Sequence, residues 1–291
     1  MLKKNILFIV NPIAGGKSKT DFPELAASCL DATKFEARYL FSKNVGHAYE
    51  LSAAALAQDV DIVVAVGGDG TINEVASALL GTGKSMGIIP CGSGNGLARA
   101  LGIPLKNSKA VARLNSLQAF RIDSGLFNGK NFFNMAGIGF DAQISMRFAE
   151  DATRGLKGYV KTTFSEIAQY RPEQYVIEID NRLYEREAFM ISIANSSQFG
   201  NNAHVSPFAS LNDGLLDVCI IKPFPLYHFP VMGYHMFSKT AHKSKFVEIV
   251  RGKKIRIIRE KEGAIHLDGE PQIMGTEINI EIKPLSLSVL T

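Results

Sequence analysis

Three short segments combine glycines with groups able to handle phosphate. They are Asn11-Pro-Ile-Ala-Gly-Gly16 with Lys17 after it, Gly67-Gly-Asp-Gly-Thr71 with Asn73 and Glu74, and Pro90-Cys-Gly-Ser-Gly-Asn95. Glycines let a backbone approach an anion closely and turn its N–H groups inward, and a helix that follows adds its positive end. The first segment alone reads equally well as a simple helix entry. The second is more demanding, because an ordinary strand-to-helix turn does not need three glycines around an aspartate. Asp69 beside a phosphate would also repel it. A Mg²⁺ ion held between Asp69 and the phosphates of a nucleotide resolves that conflict. There is no G-x-x-x-x-G-K-[ST] loop and no protein-kinase motif set, so neither of those phosphoryl-transfer designs is present.

Such turns work only if strands and helices hold them at one edge. Ile6–Val10, Ile62–Val66 and Met86–Ile89 are unbroken apolar runs, as expected of strands buried on both faces. After Thr71, apolar residues at Ile72, Val75, Ala76, Leu79 and Leu80 share one helical face. Strand, glycine-rich turn, helix, strand predicts an α/β domain with a doubly wound parallel sheet, whose turns after the strands share the carboxyl edge. From about Asn131 the pattern changes. A helix is expected where Leu156, Tyr159, Val160, Thr163, Phe164 and Ile167 share a face, ending at Arg171-Pro172. Elsewhere the period is two: Tyr175, Ile177 and Ile179 alternate with Glu178 and Asp180, Ile255 and Ile257 flank Arg256, and Ile278, Ile280 and Ile282 alternate with Asn279, Glu281 and Lys283. This predicts a mainly antiparallel β-sandwich or barrel. The expected boundary lies near Asp123-Ser124-Gly125, giving domains of 1–124 and 125–282, with a tail of about 283–291 returning to the first and a cleft between the two.

The bulk numbers set limits on function. The 291 residues are 46% hydrophobic and 21% charged, an ordinary globular composition. Lys and Arg total 32 against 28 acidic residues, a net charge of +4. That excess is too small for a nucleic-acid binder but compatible with an anionic nucleotide or membrane surface. Cys29, Cys91 and Cys219 form no disulfide framework or zinc pattern, so a cytoplasmic protein is expected. The apolar stretch after Lys3-Lys4 is too short for a signal core. No run approaches the roughly 18–20 apolar residues that span a bilayer. The six histidines fall into no metal or nucleophile pattern and read as structural or surface residues.

At the glycine turns the chain resembles a known family. Gly67–Thr71 is similar to the nucleotide motif shared by diacylglycerol kinases, sphingosine and ceramide kinases, bacterial lipid kinases, NAD kinases and, more distantly, phosphofructokinases. Asn11-Pro and the Pro90–Asn95 segment resemble the lipid branch rather than NAD kinases. Asn134-Met-Ala-Gly-Ile-Gly-Phe-Asp141, Asn212-Asp-Gly-Leu-Leu-Asp217 and Leu267-Asp-Gly-Glu-Pro271 match in order as well. The resemblance implies an ATP-dependent lipid kinase of bacterial type, with a nucleotide-binding first domain of NAD kinase/diacylglycerol kinase-like fold and a lipid-substrate second domain. It implies an ATP site of Asn11, Ser42, Gly67, Gly68, Asp69, Gly70, Thr71, Asn73 and Ser93. It also implies a structural Mg²⁺ on Asp213 with main-chain oxygens of Ser210 and Leu215; the alternative reading of Asn212-Asp213-Gly214 is simply a tight turn. Glu270 matches the general base of the bacterial lipid kinases, whereas sphingosine kinases place the base in the glycine-rich motif, which makes Asp69 the competing candidate. Asp141 matches a contact to the lipid head group. One departure is Asn95-Gly96, where diacylglycerol kinases commonly have Asn-Asp; it leans toward sphingosine and ceramide kinases. Family behaviour further implies a homodimer through the first domain. The rival readings are an NAD kinase using Gly67–Thr71 and Glu74, and a non-catalytic nucleotide- or lipid-binding regulator.

A chain without a membrane span must meet its lipid from the water side, peripherally at the inner face of the membrane. Pro223–Phe237 is rich in aromatic and aliphatic residues, and Lys239, His242, Lys243 and Lys245 follow. The segment reads either as an apolar patch rimmed by cations that dips into an anionic bilayer, or as a buried helix with a solvated end.

Overall fold

The apolar runs of the first part become strands with almost no exposed residue. They are β1 (Lys4–Val10), β3 (Ile62–Gly67) and β4 (Ser85–Pro90), with β2 (Phe35–Phe41) beside β1. All pair in parallel in the order β2-β1-β3-β4. The helices are α1 (Phe22–Cys29), α2 (His47–Leu56), α3 (Asp69–Leu79), α4 (Gly96–Ala100) and α5 (Asn107–Leu114). In α3 the buried residues Ile72, Val75, Ala76 and Leu79 are the apolar face read from the sequence. This computed structural model describes residues 3–16, 18–150, 167 and 170–291. The chain divides into a unit of Met1–Ile122 with Leu285–Thr291 and a unit of Asp123–Pro284.

The chain leaves the first unit within β5 (Ala119–Phe127) and returns to it within β18 (Glu277–Leu290), whose final residues lie parallel to β4 through Ser288↔Ser85 and Val289↔Met86. The second unit adds β6 (Lys130–Phe132), β7 (Met135–Gly139), β8 (Glu173–Ile179), β9 (Arg182–Ala188), β10 (Met190–Ala194), β11 (Gln198–Gly200), β12 (Ala203–His204), β13 (Leu216–Ile221), β14 (Val247–Gly252), β15 (Lys254–Arg259), β16 (Gly263–Leu267) and β17 (Glu270–Met274). One antiparallel layer runs from the start of β18 through β15 and β8 to β9. The other has the order β14-β13-β10-β7-β16-β17 and is also antiparallel. Their facing side chains form one core, with Ile177, Ile255, Ile257, Ile278 and Ile280 from the first layer against Ile138, Ile191, Val218 and Ile265 from the second. A one-residue slip of β18 would turn Ile278, Ile280 and Ile282 outward at about 2 kcal/mol each, which fixes the pairs Ile255↔Ile280 and Ile257↔Ile278. The expectation of an α/β domain followed by an antiparallel sandwich is borne out.

Among the described residues, two helices of the second unit lie against the outer face of its second layer. α6 (Phe140–Glu150) leaves the end of β7 and buries Phe140 and Ile144 there. The helix expected over 156–167 lies almost entirely outside the described residues. α7 (Phe229–Phe237) corrects one of the two readings of Pro223–Phe237: Met232 is its only buried residue, while Tyr234 is 69% and Phe237 60% exposed. It is not a buried helix. Its apolar side chains outnumber the positions that the core below can cover.

Candidate active site

In the first unit, the parallel ladder delivers the three glycine turns to one edge and continues beyond the strands. Asn11 N–H donates to Val66 O (2.9 Å), Ser42 N–H to Val10 O (2.9 Å) and Cys91 N–H to Gly67 O (2.7 Å). The turns then pack backbone on backbone. A Cβ on Gly92 would lie 2.7 Å from Gly68 Cα, and a Cβ on Gly15, whose φ is +64°, would lie 2.2 Å from Cys91 O. Only glycine fits at those two approaches. Asn11 Nδ2 donates to Thr71 Oγ1 (3.1 Å), and its Oδ1 accepts the Ile13 N–H (3.2 Å), so one side chain ties the first turn to the second.

Asp69 opens α3 and ties the second turn to the third. Its Oδ2 accepts the Asn95 N–H (2.8 Å) and its Oδ1 the Gly96 N–H (2.9 Å). Asn95 sits at φ 51°, a conformation Asn tolerates, and locks its own turn by accepting the Gly92 N–H (2.9 Å) and donating to Gly92 O (2.7 Å). This revises the expectation that Asp69 can coexist with a phosphate site only through a cation. Two backbone N–H dipoles already compensate its charge. Thr71 and Ser42 are buried at this edge, Ser93 is exposed on the third turn, and Asn73 Oδ1 accepts the Ser77 hydroxyl (3.3 Å). Glu74 serves the helix beside it. Its carboxylate accepts the N–H groups of Gly46 (2.9 Å) and Ala48 (3.0 Å) and so caps α2, which has no side-chain cap of its own.

In the second unit, Glu270 is exposed at the start of β17, opposite Leu267 across the β16–β17 hairpin. The two-residue turn, Asp268 at φ 49° and Gly269 at φ 88°, has both φ values positive, as tight hairpin turns require. Asp268 also anchors the hairpin elsewhere. Its carboxylate accepts the N–H groups of Phe133 (3.0 Å), Asn134 (2.8 Å) and Met135 (3.0 Å), and its own N–H donates to Met135 O (2.8 Å). At the other end of the hairpin the buried Arg259 guanidinium donates to carbonyls of Gly263 (2.9 Å), Ala264 (3.3 Å), Met274 (2.5 Å) and Gly275 (3.2 Å).

Asp141 is 4% exposed, so a direct head-group contact does not fit it. Its Oδ1 accepts the Ala142 N–H (2.8 Å), and its Oδ2 meets Ser192 Oγ (3.3 Å) and His266 Nε2 (3.2 Å). His266 Nδ1 accepts the Gly269 N–H (3.3 Å), which assigns the ring proton to Nε2 and directs it at Asp141. Asp141 thereby braces the turn that presents Glu270.

The Asp213 loop is positioned by a different aspartate. Asp123, fully buried, donates its N–H to Leu211 O (2.6 Å) and accepts the Gly214 N–H (2.8 Å). Asp213 is exposed, with Oδ1 accepting the Leu215 N–H (3.1 Å), and the Ser210 hydroxyl donates to Asn212 Oδ1 (2.9 Å). Burial raises the Asp217 carboxyl pKa and the negative charge of Asp213 raises it further, against lowering by Ser206 and Arg251. Among the described residues no three His, Cys, Asp or Glu side chains gather as a metal cluster. The donors at this loop are one exposed carboxylate and carbonyls, which fits a hard cation that keeps most of its waters and no other kind.

The sequence carried no sign of Asp123 or Asp268 as organisers, because each acts on backbone groups distant in the chain. Asp268 and Asn134 are 134 positions apart.

Comparison with known proteins adds the family. Residues 5–127 match the family model described as the diacylglycerol kinase catalytic domain, and residues 134–291 match the YegS C-terminal NAD kinase β-sandwich-like domain. Together they account for both units. The chain belongs to the diacylglycerol kinase family of lipid kinases. Within the family it is 34% identical over 248 residues to a Pseudomonas aeruginosa protein named "Probable lipid kinase YegS-like", covering 84% of this chain and 81% of that one. It is 30% identical over 285 residues to the diacylglycerol kinase of Bacillus subtilis, covering 92% and 90%. A solved structure of a diacylglycerol kinase from Bacillus anthracis shares the fold, with a TM-score of 0.77 at 22% identity and coverage of 100% of this chain and 97% of that one. As a member of this family the chain is a kinase. No helix among its described residues is long and apolar enough to cross a membrane.

Proposed function

We propose that this kinase transfers the γ-phosphoryl group of ATP to a hydroxyl of a membrane lipid, acting peripherally at the cytoplasmic face. The observation that carries the reading is the packing of three glycine turns at the edge of β1, β3 and β4, fixed by Asn11 and Asp69. Such an edge offers N–H groups and the positive end of α3 to a polyphosphate. ATP lies over Gly67, Gly68, Gly70 and Thr71, with Asn11, Ser42, Asn73 and Ser93 around it. Residues 1–124 bind nucleotide and residues 125–282 bind the lipid.

Between the two candidate bases, geometry favours Glu270. Both Asp69 oxygens accept N–H groups, whereas Glu270 stands exposed on a turn braced from below. As the lipid oxygen bonds to Pγ, Glu270 accepts its proton, the bond from Pγ to the bridging oxygen breaks, and ADP leaves. Asp213 and the Ser210 and Leu215 carbonyls would hold a structural Mg²⁺ in the second unit, and a separate Mg²⁺ carried by ATP would supply charge neutralisation at the phosphates. An NAD kinase is disfavoured by Glu74, which is committed to capping α2.

The test is ADP release from ATP and Mg²⁺ against detergent-dispersed diacylglycerol, monoacylglycerol, sphingoid base, ceramide and phosphatidylglycerol, with NAD in parallel. Turnover with one lipid and none with NAD is expected. Turnover with NAD alone overturns the reading.

A further inference from the structure

From Lys222 to Val247 the chain contains no acidic residue; it holds four lysines and three histidines among aromatic and aliphatic side chains. α7 presents part of this composition outward. Val231 (47% exposed), Tyr234 (69%) and Phe237 (60%) recur at spacings of three and three, so they form one stripe along the helix, with Leu226 (53%) and Tyr227 (77%) exposed in the turn at its entry. Single exposed apolar residues are normal, but five on one short helix and its entry are a patch. Phe229, Met232 and Met236 are turned the other way, onto the core beneath the second sheet layer, so the stripe has no cover among the described residues.

The cations lie beside it. His228, Val231, Met232 and His235 of this helix and its entry face Lys243, Ser244, Lys245 and Phe246 across a cleft of about 310 Å³. Lys245 lies 5.1 Å over the Phe246 ring, and His235 Nδ1 meets Thr240 Oγ1 at 2.8 Å, so the walls are held in place. Two lysines and two histidines around a small opening, next to aromatic side chains, match a layer whose outer surface is phosphate and whose interior is hydrocarbon. Aromatic side chains with polar tips sit well at that depth, and each nearby lysine strengthens attraction to anionic lipid.

We infer that α7 and the Lys239–Lys245 segment form the surface by which this protein docks on an anionic phospholipid bilayer, with the cleft taking a lipid head-group phosphate. This rests on the lipid-kinase reading for its purpose, but not for its geometry. The test is co-sedimentation of the full chain with vesicles of phosphatidylcholine alone and of phosphatidylcholine with phosphatidylglycerol. Wild type is expected to prefer the anionic vesicles. K239E/K243E/K245E and Y227S/Y234S/F237S should each lower the partition coefficient at least about tenfold, with unchanged thermal midpoint and unchanged turnover on detergent-dispersed lipid. Equal binding by the variants, or no anionic preference in wild type, overturns the inference. So does a wild-type dimer in sedimentation velocity that Y227S/Y234S/F237S splits while vesicle binding is absent, since the stripe would then cover a second copy. Loss of vesicle binding in both variants, with no lipid turnover by any form, supports the surface and instead removes the kinase reading.

Discussion

Asp69 accepts the amide of Asn95 at 2.8 Å and so joins two glycine turns that end different strands. The bond places a negative charge inside the proposed nucleotide site, which is tolerated because the Asn95 and Gly96 N–H dipoles of the third turn point at the carboxylate. Asp69→Asn keeps the size but sets an NH₂ donor against a backbone donor. It is expected to cost about 2 kcal/mol in stability and to weaken ATP binding at least tenfold, as measured by calorimetric titration. Normal ATP affinity with turnover abolished would instead identify Asp69 as the base.

On the proposed mechanism, Glu270 carries chemistry and Asp268 support on one hairpin. Glu270→Gln should lower turnover by about 10²–10⁴-fold, the usual contribution of a general base, with ATP affinity and thermal midpoint unchanged. Asp268→Ala strands three N–H groups of Phe133, Asn134 and Met135 and should destabilise the protein by about 3 kcal/mol. Near-normal turnover in Glu270→Gln excludes the base assignment.

The strands and the glycine turns were legible because their signals are local. Ile62–Val66 is apolar at every position and Ile278–Ile282 at every second one, and each pattern maps directly onto burial. The ties between turns were not legible. Nothing at Glu74 announces the α2 amides, and nothing at Asp141 announces His266, 125 positions away. A side chain bonding to distant backbone leaves no periodicity, since its partner residue can be of any type. Asp141 shows the consequence. Its place in a matched segment implied a ligand contact, whereas its burial makes it a brace. The Pro223–Phe237 segment was ambiguous for a different reason: composition reports that apolar side chains are present, not whether a core exists to receive them.

Acid stability should depend on Glu248. The Arg186 guanidinium, donating to both its oxygens at 2.9 and 3.0 Å, holds its pKa down to about 2 from the ordinary 4.5; Lys222 at 2.9 Å adds to this and burial opposes it. A depressed folded-state value means that the unfolded chain binds the proton first as pH falls. The stabilisation is therefore complete above the unfolded value of about 4.5 and disappears as pH drops toward about 2. Glu248→Gln should be less stable than wild type near neutrality, with the two converging over that window in urea melts. A constant gap at all pH values would show that packing, not charge, sets the difference.

The Asp213 loop predicts a metal effect that can be read without turnover. Asp123 holds Leu211 and Gly214 from beneath, so the loop keeps its shape while the Asp213 carboxylate stays at the surface. A cation bound there stabilises only the folded state. At a hundredfold excess over Kd the gain is about 2.7 kcal/mol, or a thermal shift of about 5–10 °C for a unit of this size. Wild type melted in Mg²⁺ and in chelator should show that difference, and Asp213→Ala should melt at the chelator value in both. The Asp123→Asn variant separates the two parts of the argument: it leaves the Asp213 carboxylate intact but disturbs the loop, so both the baseline midpoint and the Mg²⁺ shift should fall. A Mg²⁺ shift of wild-type size in Asp213→Ala would mean that the ion binds elsewhere, and the loop would then be an ordinary turn fastened to β5.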